Sequence, residues 1–365
     1  MELKYNNKKS FSEIETQIKE CQNNNKPIFI SNTHGALIKG DNFEIMSRML
    51  ESYEGKIDLI YIDPPFNTSS QFYYDEDKIA TISTTKNSEL AYNDNMKLEN
   101  YVEFMRERLY LIKKLLSDKG TLYLHIDLKV GHYMKIILDE IFGIENYIND
   151  ITRIKSNPKN FSRKAYGNEK DVIYIYSKKP QKNIFNNIKI SLDINDITKM
   201  FTKVDENGER YTTIPCHAPG ETINGATGQA WNGIMPPRGR HWRSSPEELE
   251  KLNQAGLIEW SINNIPRIKK YAKNHEGKKI QDIWKYKDPQ YPIYPTEKNF
   301  EMLDMIVKQS SNENSLIMDC FCGSSSFLKA GIVNKRKVIG IDKSDIAFYV
   351  SKNRKELNFL EIIED

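Results

Sequence analysis

Residues 56–68 have the sequence KIDLIYIDPPFNT, and the fold class can be predicted from this segment. Its apolar run Leu59–Ile62 predicts a strand that is buried on both faces of a parallel sheet. Pro64 and Pro65 have a fixed φ and no backbone N–H, so the strand has to end at Asp63. The turn that follows therefore lies at the carboxyl end of a buried strand, where open α/β sheets bind their ligands.

The chemistry of this turn is unusual for a protein core. It combines the Asp63 carboxylate, two prolines that offer only carbonyl oxygens, and the ring of Phe66. Such a surface suits a flat ring that carries an amino group.

The rest of the chain alternates between helical and strand patterns. The apolar spacing predicts helices over Glu99–Ser117 and Val130–Phe142, with a buried strand over Thr121–Ile126 between them. Residues 67–98 show no strong period and are interpreted as a long loop. Strand, helix, strand, helix in this order predicts crossover units and a parallel sheet, that is, an α/β fold.

A second strand–turn–helix unit lies near the end of the chain. The strand Ser315–Asp319 runs into a turn of small residues, Cys320–Ser326, and the next strand ends at Asp342. Gly323 allows a ligand to approach the backbone, and Asp342 is placed to bind ribose hydroxyls. The turn has only one glycine, so a nucleoside without phosphates, such as S-adenosylmethionine, fits better than a dinucleotide.

Composition narrows the class of protein. The chain has 365 residues, 39% of them hydrophobic, and a mean hydropathy of −0.64. No apolar run is long enough for a membrane helix and no signal peptide is recognised, so we expect no membrane association. Four cysteines without a CxxC pair fit a cytoplasmic protein and give no reason to expect a metal site.

The charge is unevenly distributed along the chain. Residues 151–290 contain 25 Lys and Arg against 15 Asp and Glu, whereas the remainder contains 28 against 35. A basic middle in an otherwise acidic chain indicates a surface for a polyanion. A solvated, lysine-rich surface would give the same counts.

Taken together, the two strand-end turns resemble the β-class DNA amino-methyltransferases. Further segments resemble the modification (Mod) subunits of Type III restriction systems and their stand-alone relatives: Tyr92–Asn95, Glu99–Tyr101, Phe104–Met105, Arg108–Leu109, Gly239–Arg243 and Tyr294–Lys298. The resemblance implies a circularly permuted, Rossmann-like methyltransferase sheet with an inserted target-recognition region. It divides the chain into a catalytic half (1–150), a DNA-binding region (151–290) and a cofactor-binding half (291–365).

The resemblance also implies roles for individual residues. Asp41 should contact the adenine of S-adenosylmethionine, and Asp342 its ribose. The residues expected along the methionine part are Asp319, Phe321, Gly323 and Ser324, with help from Thr296. The chain departs from the family pattern at Cys320, Ser325 and Ser326, and Ser325 leaves open how closely the cofactor can approach.

The implied reaction is methylation of adenine N6. Asp63 and the Pro64 carbonyl would accept the two amine N–H groups, and Phe66 would stack on a base that has been flipped out of the duplex. In the basic middle, the candidates for DNA contacts are Arg238, Arg240, His241, Arg243, Lys269 and Lys270. The four tryptophans are expected in the core.

Other functions remain open at this point. Methylation of cytosine N4 is the first alternative, although Ser-Pro-Pro-Tyr turns are more usual there than a turn with Asp63. A DNA-binding specificity subunit without activity is the second, although it would be expected to lack Asp63 or the cofactor turn. RNA or protein-glutamine methylation is a less favoured reading. Expected partners are double-stranded DNA and, less directly, a restriction subunit and a second copy of the chain.

Overall fold

The computed structural model of the protein describes residues 2–65, 71–74, 89–93, 96–156, 164, 166–290, 292, 294 and 297–364, with backbone only for 71–74 and 89–93. The α-helices in these ranges are α1 (Phe11–Asn24), α2 (Asn42–Tyr53), α3 (Leu98–Leu115), α4 (Leu128–Phe142), α5 (Ile194–Met200), α6 (Pro246–Gln254), α7 (Phe300–Ser310), α8 (Ser326–Val333) and α9 (Asp345–Lys352). None of the described helices is both long enough and apolar enough to cross a membrane.

The strands of the main sheet come from both ends of the chain. They are β1 (Gly35–Lys39), β2 (Ile57–Ile62), β5 (Leu116–Ile126), β6 (Tyr147–Ile154), β7 (Lys170–Ser177), β16 (Ile283–Trp284), β17 (Leu316–Asp319), β18 (Lys337–Asp342) and β19 (Glu361–Glu364). The remaining strands are β3 (Gln71–Tyr74), β4 (Glu89–Asn93), β8 (Lys189–Ile190), β9 (Lys203–Val204), β10 (Arg210–Pro215), β11 (His217–Pro219), β12 (Arg240–Trp242), β13 (Ile258–Trp260), β14 (Pro266–Tyr271) and β15 (Lys278–Lys279). Strands β3 and β4 pair in a segment that the sequence pattern had indicated to be a loop.

The order of the main sheet is β16-β6-β7-β5-β2-β17-β18-β1-β19. All pairs are parallel except those of β7, which runs antiparallel to both β5 and β6. The expectation of a parallel sheet is thus correct for the centre, and the α/β class is confirmed. Strands β17 and β18, from the end of the chain, lie between β2 and β1 from its beginning. The circular permutation itself stays a prediction.

Helices cover both faces of this sheet. Ile60 and Ile62 of β2 lie in one apolar core with buried side chains of α1 to α4, such as Ile14 and Met105. Between them, Tyr61 points to the other face, where its ring stacks on Phe327 of α8 at 5.2 Å. Burial on both faces explains why β2 is a continuous apolar run rather than an alternating one.

The chain divides into two compact units. Unit 1 combines Met1–Asn187 with Gln281–Asp365, and unit 2 is Ile188–Ile280. The compact insertion therefore begins later and ends earlier than the predicted 151–290 region. The reason is that β6 and β7 pair with each other, and β7 with β5, so the chain leaves the main sheet only after β7.

Unit 2 has its own small core. Its main sheet has the order β13-β14-β10-β9, and β11 pairs with β12 in a separate ribbon. Trp231 and Trp242 are buried there, with Trp260 packed against them. Trp284 is buried in unit 1. The prediction that the tryptophans are core residues is confirmed for the three buried ones, and Trp260 is half-buried.

Candidate active site

Four predicted carboxylates meet at one edge of the main sheet. Asp63 follows β2, Asp319 ends β17, Asp342 ends β18, and Asp41 comes two residues after β1. These four strands are parallel neighbours, so their carboxyl ends lie at the same edge. After β2 the chain continues to β5 on one side of the sheet, and after β17 it continues to β18 on the other side. Open sheets form a ligand crevice at such a boundary between two strands.

The two oxygens of Asp63 have different surroundings. Oδ2 lies 2.7 Å from the ammonium of Lys298, whose side chain is 8% exposed. Oδ1 is buried and has no hydrogen-bond partner among the described residues. Nδ1 of His125 lies 3.9 Å from this oxygen, too far for a hydrogen bond. Buried acceptors are normally satisfied, so a free one at a strand end indicates a ligand.

His125 is held in one protonation state. Burial lowers its pKa, against the opposing effect of the Asp171 carboxylate, so the imidazole is neutral near pH 7. Nε2 lies 3.3 Å from Asp171 Oδ2, and because a carboxylate only accepts, Nε2 carries the proton. Nδ1 is then an acceptor for the hydroxyl of Tyr61 at 2.9 Å. This tautomer has no proton to donate to Asp63.

Asp171 in turn is anchored from a second side. Lys155 Nζ lies 2.5 Å from its Oδ1. Burial alone would raise the pKa of Asp171, but the hydrogen bond from His125 and the charge of Lys155 outweigh burial and lower it. The carboxylate therefore stays ionised and holds the imidazole ring. Sequence reasoning had assigned no role to Asp171 or Lys155.

The prolines after Asp63 are fixed by α3. Pro64 is buried and Pro65 is half-buried. The hydroxyl of Tyr101 donates to the Pro65 carbonyl at 2.6 Å, so that carbonyl is already engaged. The predicted stacking residue Phe66 lies outside the described residues, and so does Thr296.

The predicted cofactor turn is closed by its own carboxylates. Gly323 has φ +47°, and its N–H donates to Asp342 Oδ2 at 2.8 Å. The other oxygen of Asp342 accepts from the Ser344 N–H at 2.9 Å. Asp319 accepts from the Phe321 N–H at 2.9 Å. The structure thus gives Asp342 and Asp319 a role in shaping the turn.

Burial disfavours the ionised form of the Asp319 and Asp342 carboxyls. It raises the pKa of Asp319 well above its ordinary value, and the negative charges of Asp63 and Asp342 add to the effect. Burial also raises the pKa of Asp342, although its backbone hydrogen bonds oppose this. A crevice with such an excess of buried carboxyls favours a cationic ligand.

A polar network anchors the turn to the Tyr294–Lys298 segment. Arg354 Nε donates to the Ser324 carbonyl at 2.5 Å, and its NH2 group lies 2.5 Å from Glu297 Oε1. Ser326 donates to the same Glu297 oxygen at 2.8 Å. Glu297 therefore connects the cofactor turn to Lys298, the next residue along the chain.

Asp41 is positioned by the start of α2. As the N-cap residue it accepts from the Phe43 N–H at 2.9 Å. Its Oδ1 lies 3.1 Å from Arg108 NH2, and the Arg108 guanidinium stacks over Phe104 at 3.5 Å from the ring centre. The Phe104 ring contacts Phe321 edge-on at 6.2 Å, so this group reaches the cofactor turn. Arg108 belongs to a segment that resembles the family, but its contact with Asp41 could not be predicted from sequence because the two residues are far apart in the chain.

In unit 2, several predicted DNA-binding residues lie near one another. Arg240 and His241 are on β12, which pairs with β11, and Arg240 NH1 lies 3.3 Å from His217 Nδ1. Burial and the nearby charges of Arg240, Arg243 and Arg267 lower the pKa of His217, so these groups form one positive cluster. His217 and Arg267 were not among the sequence candidates.

The other candidates of unit 2 are placed separately. Lys269 and Lys270 lie next to each other on β14, so their side chains leave opposite faces of that strand. Arg238 lies exposed just before β12. Contact of any of these residues with DNA stays a prediction.

Comparison with known proteins adds the family. The chain is 39% identical over 316 residues to the Type II methyltransferase M.EcaI of Enterobacter cloacae, which covers 85% of this chain and 66% of that protein. It is 29% identical over 213 residues to the EcoP15I Mod subunit of Escherichia coli, a Type III restriction-modification enzyme, covering 54% of this chain and 32% of that subunit. The chain thus spans about two thirds of the first relative and one third of the second.

A solved structure and a protein family also match this chain. The crystal structure of the M1.HpyAVI–SAM complex covers 87% of this chain and 99% of its own, with 15% identity and a TM-score of 0.45. The DNA methylase family model matches residues 57–353, from the beginning of β2 to just beyond α9. Because that match includes most of the chain and both strand-end turns, this protein belongs to the DNA methylase family.

Proposed function

We propose that the protein is a site-specific DNA methyltransferase of a restriction–modification system, which transfers a methyl group from S-adenosylmethionine to N6 of a flipped adenine. The single observation that carries the proposal is the buried Oδ1 of Asp63 at the carboxyl end of β2, which has no hydrogen-bond partner in the described part of the chain. Membership of the DNA methylase family supports the reaction class.

The residues present at the cofactor turn fit S-adenosylmethionine. Its sulfonium is a cation, and burial raises the pKa of the neighbouring Asp319 and Asp342, so a bound cation would favour their ionised forms. In this proposal Gly323, which has a positive φ, allows the cofactor to approach the backbone, and Asp342 at the end of β18 accepts from the ribose hydroxyls. When bound, the cofactor supplies an electrophilic methyl group.

Asp63 and its turn act on the target amine. The lone pair of an exocyclic amine is delocalised into the base, which makes the nitrogen a weak nucleophile. Oδ1 of Asp63 and the Pro64 carbonyl accept its two N–H groups, which favours tetrahedral geometry at nitrogen and directs the lone pair toward the methyl donor. Asp63 acts here by orienting the amine, and Phe66 stacks on the flipped base.

Unit 2 and neighbouring basic segments serve as the DNA-binding part. The cluster of Arg240, Arg243 and Arg267 around His217 offers guanidinium groups to phosphates or guanine edges. By analogy with the Mod subunit that the chain resembles, a restriction subunit and a second copy of this chain are candidate partners, in the cytoplasm.

Two other activities compete with this proposal. Cytosine-N4 methylation would use the same crevice, and the Asp63 turn favours adenine only through the resemblance. A specificity subunit without activity is disfavoured because Asp63 and the cofactor turn are both intact at the sheet edge. Product analysis separates all three.

The experiment is to incubate the protein with labelled S-adenosylmethionine and DNA from a strain that lacks adenine and cytosine methylation, then digest the DNA and identify the labelled nucleoside. N6-methyladenine is expected. N4-methylcytosine would replace the adenine assignment, and no labelled nucleoside across diverse DNA would refute the proposal.

Asp63→Ala tests the role of the turn. The variant is expected to lose methyl transfer while calorimetry shows nearly unchanged cofactor affinity. The matched control is Asp118→Ala, which removes an exposed carboxylate paired with Lys179 near the opposite end of the sheet. Equal loss of transfer and cofactor binding in Asp63→Ala would contradict the assignment.

A further inference from the structure

Only one of the two carboxylate oxygens of Asp63, Oδ1, has no hydrogen-bond partner among the described residues, and the surrounding groups determine which oxygen that is. A carboxylate at the end of a strand can rotate about its Cβ–Cγ bond and exchange its two oxygens. In this structure, Lys298 holds Oδ2 at 2.7 Å, and both side chains are largely buried, at 8% and 16% exposure. A close pair in a site shielded from water restrains that rotation more than an exposed pair does.

Lys298 itself is held by its neighbour in sequence. Glu297 accepts from Ser326 and Arg354, and Arg354 also binds the Ser324 carbonyl. The backbone that carries Lys298 is therefore connected directly to the cofactor turn. An ammonium fixed in this way places Asp63 relative to that turn.

The group on the other side of Asp63 leaves Oδ1 open. Nδ1 of neutral His125 accepts from Tyr61 and has no proton for Asp63, 3.9 Å away. Tyr61 remains a donor because burial, reinforced by the charge of Asp63, raises its pKa well above the ordinary value. One oxygen is thus occupied and the other is left as an acceptor.

We propose that Lys298 is a positioning residue for methyl transfer, which holds Oδ2 of Asp63 so that Oδ1 alone faces the target amine. This inference rests on the proposed function and names a further residue of the same site. Lys298 acts through Asp63, and the cofactor turn sets its position. An ion pair that only stabilised the fold would not affect the rate of transfer in protein that remains folded.

The test compares three substitutions at position 298 with one control. Lys298→Met removes the ammonium but keeps most of the side-chain volume, Lys298→Arg keeps the charge, and Lys298→Gln keeps an N–H donor without charge. The control, Lys335→Met, also removes a lysine from an ion pair, with Glu313, but Lys335 precedes β18 at its amino end, away from the carboxyl edge.

Each folded variant is measured for kcat and KM with unmethylated DNA, and for cofactor affinity by calorimetry. Lys298→Met is expected to lower kcat about 100-fold, the size of effect that misplacing a reacting group has, with cofactor affinity within about threefold of wild type. The kcat of Lys298→Arg should be at least about tenfold higher than that of Lys298→Met, because arginine restores a cation beside Oδ2. Lys335→Met should behave as wild type.

Several results would overturn the inference. One is a kcat for Lys298→Met within about threefold of wild type. Another is a change confined to KM or to cofactor affinity, with kcat unchanged. A third is a Lys298→Arg variant that is no more active than Lys298→Met. If Lys298→Met does not fold, Lys298→Ala, which also leaves no donor for Oδ2, replaces it, and a normal kcat for that folded variant would have the same meaning. Absence of base methylation by wild-type protein would instead refute the proposed function, so the two failures are distinguishable.

Discussion

Ser325 offers a test in which the backbone and the side chain make separable contributions. It occupies the left-handed region, with φ +59° and ψ +27°, immediately before α8. Its side chain is fully buried, and its hydroxyl lies 2.7 Å from that of Ser351. The perturbation is a matched pair of substitutions, Ser325→Gly and Ser325→Ala.

The magnitudes follow from these contacts. Both substitutions remove one hydrogen bond worth about 1 kcal/mol, and Ser351 keeps a partner because it also donates to the Gly323 carbonyl at 2.9 Å. Alanine retains the left-handed penalty of about 1–2 kcal/mol, whereas glycine escapes it. Glycine also lowers the free energy of unfolding by about 0.5–1 kcal/mol, because it increases the conformational entropy of the unfolded chain. Taking the middle of each range, Ser325→Gly should be about 0.75 kcal/mol more stable than Ser325→Ala.

The assay is urea unfolding of both variants and wild type, compared by midpoint, with cofactor affinity measured alongside. Because the Ser325 hydroxyl is directed toward Ser351 inside the protein, removing it should leave cofactor affinity within about threefold of wild type. An alanine variant as stable as the glycine variant would refute the backbone argument. A large gain in affinity for Ser325→Gly would show instead that the side chain obstructs the cofactor.

Three more predictions concern charge and pH. Asp342→Asn should weaken cofactor binding about tenfold in calorimetry, since one carboxyl oxygen at the end of β18 is replaced by an amide N–H₂ donor; unchanged affinity would exclude a role of Asp342 in binding ribose. Cofactor binding should strengthen as pH rises, because burial raises the pKa of Asp319 and its carboxyl ionises more fully at higher pH; an affinity that does not change with pH would contradict this. Burial lowers the pKa of His125 in the folded protein, so on acidification the unfolded chain binds a proton at this residue before the folded protein does. The contribution of neutral His125 to stability is therefore present above about pH 6.5 and is lost as pH falls. Urea midpoints at pH 7.5 and 5.5 should thus differ less in His125→Gln than in wild type, and an equal difference would refute the assignment.

Much of the main sheet could be predicted from local patterns. The strand over Ile57–Ile62 agrees with the predicted apolar run, and α3 ends two residues before the predicted boundary at Ser117. These features depend on residues close in sequence, so periodicity and turn chemistry suffice. Unit 2 is shorter than the predicted 151–290 DNA-binding region, whose extent stays a prediction, because β6 and β7 pair with each other and β7 with β5 in the main sheet.

Which groups lie at the strand ends can be predicted from sequence: Asp63 before two prolines, Asp319 before a turn of small residues, and Asp342 at the end of a strand. Proline and glycine act on the backbone locally, so these positions can be recognised without a fold. The contacts of Asp63 depend on the fold: Lys298 lies beside Oδ2, and the His125 tautomer, which accepts from Tyr61, donates no proton to Oδ1. Those relations join residues far apart in the chain, and no local pattern records the distance or the direction of a hydrogen bond between them.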